Sequence, residues 1–99
     1  MYDAILREHG NYIVTIMGMQ VTSIRYQVSG IGNQNVEIYV YNLRGQKVRT
    51  LVDDYILAGV HQVVWDGRDD DGNQVSSGIY LYMMRACEFI SVRRMLLMK

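Results

Sequence analysis

The sequence predicts an all-β fold, an antiparallel sandwich of about seven strands, on three observations. Apolar residues alternate with a period of two wherever the chain is rich in β-branched and aromatic residues, which is the period of a pleated strand. Clusters of glycine, asparagine, aspartate and serine interrupt the alternation about every ten to fifteen residues. No segment carries a convincing helical stripe.

The opening stretch YDAILREHG, Tyr2 to Gly10, has room for one or two helical turns. The first strand is predicted over Tyr12–Met17 and the second over Val21–Val28. The glycine- and asparagine-rich stretch from Ser29 to Asn35 reads as a hairpin loop. The third strand, Val36–Asn42, sets Val36, Ile38 and Val40 on one face and Glu37, Tyr39 and Tyr41 on the other. A turn centred on Gly45 leads to the fourth, Lys47–Val52, and a turn at Gly59 to the fifth, Val60–Trp65. There His61, Val63 and Trp65 share a face opposite Val60, Gln62 and Val64. The sixth, Gly78–Arg85, separates Ile79, Leu81 and Met83 from Tyr80, Tyr82 and Met84, and the seventh spans Glu88–Leu97. The expected core is Val36, Ile38, Val40, Trp65, Tyr80 and Tyr82. Residues 1–20 form an N-terminal segment or first strand, and residues 21–99 the sandwich proper.

A chain of 99 residues makes one domain with a core of modest size. Ten basic and ten acidic residues cancel, so no general electrostatic pull draws it to nucleic acid or an anionic membrane. The single cysteine, Cys87, excludes an internal disulfide, and no Cys/His zinc spacing occurs. No apolar run approaches the ~18 residues of a membrane span. No signal peptide is visible, so export would need a leader outside this chain. The chain also contains no proline, which loop-rich β proteins ordinarily use in turns.

One stretch asks for chemistry. WDGRDDDGNQV, Trp65 to Val75, crowds Asp66, Asp69, Asp70 and Asp71 together. An EF-hand loop needs oxygen ligands at its first, third and fifth positions, glycine at the sixth and glutamate at the twelfth. With Gly72 as the sixth, Asp69 and Asp71 fit, but Gly67 and Gly78 fall where two ligands belong, including the bidentate one. A turn that uses aspartate to cap its own backbone is the favoured reading, with a weak surface calcium site at Asp69 and Asp71 as the alternative. His9 and His61 are the only histidines and come with no evident Ser/His/Asp or Cys/His arrangement. No phosphate loop, dinucleotide or metalloprotease motif occurs. The chain is therefore expected to be non-catalytic, with no cofactor and no small-molecule substrate. Tyr39, Tyr41, Tyr80 and Tyr82 fit the edge of a sandwich core, or alternatively a flat face for stacking sugars.

Two segments are unusually apolar. IVTIMGM, within Tyr12 to Met19, is β-prone and uncharged, which suits pairing in its own sandwich or self-association with a neighbouring molecule. The tail FISVRRMLLMK sets Arg93 and Arg94 before Met95, Leu96, Leu97 and Met98, with Lys99 last. As a strand it has apolar residues on both faces, so one set faces either a partner or solvent.

The stretches TSIRYQV, VYNLRGQKVRTLV, AGVHQVVWDGRDDDGNQVSSGIYLY and RRMLLMK, in this order, resemble two closely similar families. One is the C-terminal sorting domain of bacterial type IX secretion cargo. The other is the Ig-like domain of the flagellar hook-capping protein. The resemblance covers about Val21 to Lys99. It implies an Ig-like β-sandwich without catalytic residues, Trp65 plugging the core and the WDG of Trp65 to Gly67 ending a strand. Gly78 and Tyr80 correspond to the family's GxY, and Arg94 to Lys99 to its terminal basic-apolar strand. The chain's stop at MLLMK favours the secretion branch. That branch implies export through outer-membrane secretion machinery, cleavage by a sortase-like peptidase and a secreted or cell-surface location. Gly78, Tyr80, Arg93, Arg94 and Met95 to Lys99 are then the recognition residues. The hook-cap branch implies a structural assembly module, and the tyrosine face leaves room for an accessory carbohydrate-binding module. The sequence departs from the pattern at Asn11 to Gln20, which is far more apolar than usual, at Ile56 and Leu57, and at Met84 and Cys87, where arginine or leucine, and glycine, are usual.

Overall fold

The alternating segments form five antiparallel strands in a computed structural model that describes residues 6–16, 18–87 and 89–98. They are β1 (Leu6–Ile16), β2 (Met19–Tyr41), β3 (Lys47–Trp65), β4 (Gly78–Ala86) and β5 (Phe89–Leu97). The seven predicted segments appear as five because β2 and β3 are long strands that each serve two layers. The first half of β2 pairs with β1 and with the end of β3, from Val28↔Gly59 to Thr22↔Trp65. Its second half pairs with the start of β3 and with β4, and β4 pairs with β5. The result is a three-stranded layer continuous with a four-stranded one.

Three expectations are corrected here. Ser29 to Asn35 is not a hairpin loop. Val28 and Asn33 both pair with β3, opposite Gly59 and Leu57, so the chain runs on and the glycine-rich stretch is absorbed as a bulge where the sheet bends. Gly59 is likewise a bend inside β3, with φ of +136°, a conformation that a side chain rarely tolerates. The helical turns allowed for the opening stretch are absent over Leu6 to Gly10, which is strand paired to β2. Residues 2–5 of that stretch lie outside the described residues, as do Met17, Glu88 and Lys99.

The core lies between the layers. Ile24, Tyr26 and Val28 come from the three-stranded layer, and Val36, Ile38, Val40, Tyr80, Tyr82, Met84, Met95 and Leu97 from the other. The expected core residues Val36, Ile38, Val40, Trp65, Tyr80 and Tyr82 are all buried. Even-numbered residues of β2 face inward on both sides of the bend, so one alternation serves both layers. Trp65 is fully buried at the end of β3. Its ring meets Tyr80 edge-on at 5.0 Å and its Nε1–H donates to Arg68 O at 3.0 Å. Side chains of β1 and β2 close the seam to β5: Asn11 Nδ2 donates to Arg94 O (3.1 Å) and Thr22 Oγ1 to Leu96 O (2.8 Å).

Replacing Trp65 with alanine removes the largest buried side chain and is expected to cost about 3–5 kcal/mol in urea unfolding, as large aromatic truncations do. A cost near 1 kcal/mol would contradict its role as the core plug. Cys87, between the paired residues Ala86 and Phe89, is the one non-glycine residue with positive φ (53°) among the described residues. A side chain there costs about 1–2 kcal/mol against the ~0.5–1 kcal/mol of extra backbone entropy that glycine loses. Cys87→Gly is expected to raise the urea midpoint, and a lowered midpoint would sink this account.

Candidate functional site

The aspartate-rich loop is built from backbone capping. Asp69 Oδ1 accepts from the backbone N–H of Asp71 (3.0 Å) and Asn73 (2.9 Å). Gly72, at φ +87°, lets the chain turn back so that its N–H reaches Asp69 O. Asp66 Oδ1 accepts from Arg68 N (3.1 Å) and from Arg49 Nη1 (3.0 Å), which also donates to Arg68 O. Asp70 reaches out of the loop: its Oδ1 accepts from Thr50 N (2.9 Å) and its N–H donates to Val48 O. The loop thereby covers part of the free edge of β3. Asp71 is exposed beside Asp69, and among the described residues no three acidic, histidine or cysteine side chains gather to hold a metal ion. The arrangement is a turn in which three of the four carboxylates satisfy main-chain donors.

A second polar cluster lies on the outer face of the four-stranded layer. Glu37 on β2 pairs with Arg85 on β4, whose Nε donates to Glu37 Oε1 at 2.8 Å. Tyr39, two residues along the same face, donates its hydroxyl to Glu37 Oε2. That hydrogen bond, with the one from Arg85, holds the Glu37 carboxyl below its ordinary range. The same bond to Glu37 pushes the Tyr39 phenol up to about 12. The Lys47 ammonium sits 4.8 Å over the Tyr39 ring, and Tyr41 meets that ring edge-on at 89°. Perpendicular rings with one face already under a cation do not form a flat stacking platform. Of the four alternating tyrosines, Tyr80 and Tyr82 belong to the core and Tyr39 and Tyr41 to this outer face. The sequence held part of the signal, since Glu37 and Tyr39 share a strand face, but the pairing of Glu37 with Arg85 needs the register between β2 and β4.

Around the cluster the outer face is apolar. Its rows follow the pairing register: Glu37 and Arg85 with Ile90; Tyr39 and Met83 with Val92; Tyr41 and Leu81 with Arg94; then Ile79 with Leu96. Ile90 is 57% and Val92 58% exposed. On the β3 side the same rows end in Asp53, Thr50 and Lys47.

The tail splits as its alternation requires. Met95 (3% exposed) and Leu97 (1%) enter the core, while Leu96 (42%) and Met98 (43%) face outward. Arg93 and Arg94 are exposed, and Lys99 lies outside the described residues. Gly78 opens β4 opposite Leu97, and the Tyr80 hydroxyl donates to Ser76 O at 2.7 Å, so both hold the start of β4. Of the segment Tyr12 to Met19, the residues through Ile16 pair within the chain with β2, and Tyr12, Ile13, Ile16 and Met19 stay exposed.

A family model described as the FlgD Ig-like domain matches residues 10–87. The match takes in Asn11 to Gln20, which the resemblance read in the sequence had set apart, and it ends before β5. No curated protein matches the chain.

The Tyr39–Glu37 contact has a pH signature. The bonded form carries a protonated phenol with a raised pKa, so its contribution is complete below the ordinary value of 10 and is lost as pH rises through about 12. Glu37 has a lowered pKa, so its contribution is complete above its ordinary value of 4.5 and is lost as pH falls through the depressed one. In an ultraviolet phenolate titration, Glu37→Gln is expected to move one tyrosine to an earlier ionisation. Superimposable titrations of the two proteins would contradict the contact.

Proposed function

The chain belongs to the FlgD Ig-like domain family, and we propose from that membership that it is a non-catalytic structural assembly module, of hook-cap type or a filament subunit. The observation that carries this reading is the family match over most of the chain, together with a loop in which three of four aspartates cap backbone and a Glu37 paired with Arg85. Such a module works as a rigid block. Its layers share two continuous strands, β2 and β3, so load applied at one layer passes to the other through covalent chain. Its contacts with partners then come from exposed faces and edges.

A second reading is favoured by β5 alone: the tail is an export and anchoring signal recognised by outer-membrane secretion machinery or a sortase-like peptidase. Leu96 and Met98 on the outer face and Arg93 and Arg94 beside them offer a receptor an apolar strip with a basic rim. In this reading the parent protein is secreted or held at the cell surface, and Gly78 and Tyr80 keep β4 in place beneath the signal.

The two readings part in one pair of experiments. A hook-capping protein carrying this chain in place of its own Ig-like domain is expected to support hook assembly, scored by electron microscopy. Failure to build hooks, with the chimaera folded and exported, would overturn the assembly reading. For the tail, the chain is fused behind a periplasm-targeted reporter in a host competent for type IX secretion. Surface delivery that is lost on deleting residues 95–99 supports the signal, and equal delivery with and without them removes it.

A further inference from the structure

We propose that the outer face of the four-stranded layer is the contact between two copies of this chain, packed face to face about a two-fold axis. The axis runs along the row Tyr39, Met83 and Val92. This deepens the assembly reading, on which it rests, by naming the partner as a second copy.

Three observations lead there. First, the face is apolar where a solvated face of an antiparallel sheet ordinarily alternates to polar residues. Met83 and Val92 form a cross-strand pair at its middle, and Ile79 and Leu96 another towards one end. This follows the anatomy of an interface, an apolar centre with a polar rim.

Second, the rim charges are arranged for self-pairing. On β3, Asp53 lies in the row on one side of the axis and Lys47 in the row on the other, with Thr50 between them opposite Tyr39. A two-fold along the middle row exchanges those outer rows and keeps each strand over its own counterpart. Asp53 of each copy then faces Lys47 of the other, twice by symmetry. Within the chain, and among the described residues, neither makes an ion pair, Lys47 resting only over the Tyr39 ring beside it, although the face's other acid, Glu37, is paired with Arg85. On the β5 side Arg94 faces the row of Ile90, at the edge of the sheet, where its long side chain reaches solvent.

Third, the free edges of the layer are poorly suited to the alternative of strand addition. On β3, Val48 O and Thr50 N are taken by Asp70, Tyr55 N by Asp54 Oδ1 (2.7 Å), and Leu57 O by His61 Nε2 (2.6 Å). On β5, Arg94 O and Leu96 O are taken by Asn11 and Thr22. Side chains that occupy edge groups protect against edge-to-edge pairing. The open apolar surface is the face, and stacking it on a second sheet is the ordinary way such a face is buried.

The test is sedimentation velocity on the whole chain over a concentration series from low micromolar to several hundred micromolar. The weight-average mass is expected to rise from the 11.5 kDa of one chain toward twice that value. Val92→Glu, on the exposed middle row, is expected to weaken the dimer by about tenfold or more, with an unchanged circular dichroism spectrum and, at concentrations where both proteins are monomeric, an unchanged urea midpoint. Asp53→Lys alone and Lys47→Asp alone are each expected to weaken it by about threefold to fivefold, the scale of rim ion pairs. The two together restore it, because each new lysine faces a new aspartate. A strict monomer at the highest concentration overturns the proposal and leaves the hook-assembly experiment standing. A dimer that ignores Val92→Glu but is lost in Ile13→Glu also overturns it and moves the contact to β1. If the double variant is no better than the single ones, this two-fold register is wrong.

Discussion

The burial of Trp65 is the contact around which the rest is arranged. It ends β3 opposite Thr22 of the three-stranded layer, and its ring packs edge-on against Tyr80 of the four-stranded layer. Its indole N–H cannot be buried without an acceptor. The acceptor is Arg68 O, so the chain must turn immediately after Trp65 to present that carbonyl. The turn is closed where Val75 N donates to Gly67 O at 2.9 Å. One side chain thus joins both layers and sets the start of the aspartate-rich loop.

Once that loop is in place, its acids have assigned work. Asp66 holds Arg68 N and Arg49, Asp69 holds the turn, and Asp70 grips the edge of β3 at Val48 and Thr50. A run of carboxylates that suggests a cation site in a linear sequence becomes a bracket between a loop and a strand edge. The same economy governs the seam, where Asn11 and Thr22 satisfy carbonyls of β5 that no strand pairs. Polar side chains here chiefly finish the backbone's hydrogen bonding, which is consistent with a structural module.

What the core and the loop leave free is surface, and the surface is uneven. Several edge groups of β3 and β5 are already bonded, while the outer face of the four-stranded layer presents Met83, Val92, Ile90 and Leu96 with a polar cluster at one end. The Glu37, Tyr39 and Arg85 cluster fixes side chains on that face, which lowers the entropy that a partner covering it would cost.

The all-β class, the inward set Val36, Ile38, Val40, Trp65, Tyr80 and Tyr82, and the two-sided tail were legible from the sequence. A period of two is a local property of the backbone: successive side chains of a strand point to opposite faces wherever the strand is placed. The turn at Gly45 was legible for a related reason, since Asn42 Oδ1 caps the N–H groups of Arg44 and Gln46 within the same short segment. Ser29 to Asn35 and Gly59 are ambiguous in the sequence, because a glycine-rich stretch looks the same whether the chain reverses or bends. Only the partner strand decides, and here β3 continues alongside on both sides. The pairing of Glu37 with Arg85, the reach of Asp70 to β3, and the placing of Asp53 and Lys47 on either side of one row all depend on register between strands distant in sequence. That register is set by how the two layers close on Trp65 and on one another, which no local period records.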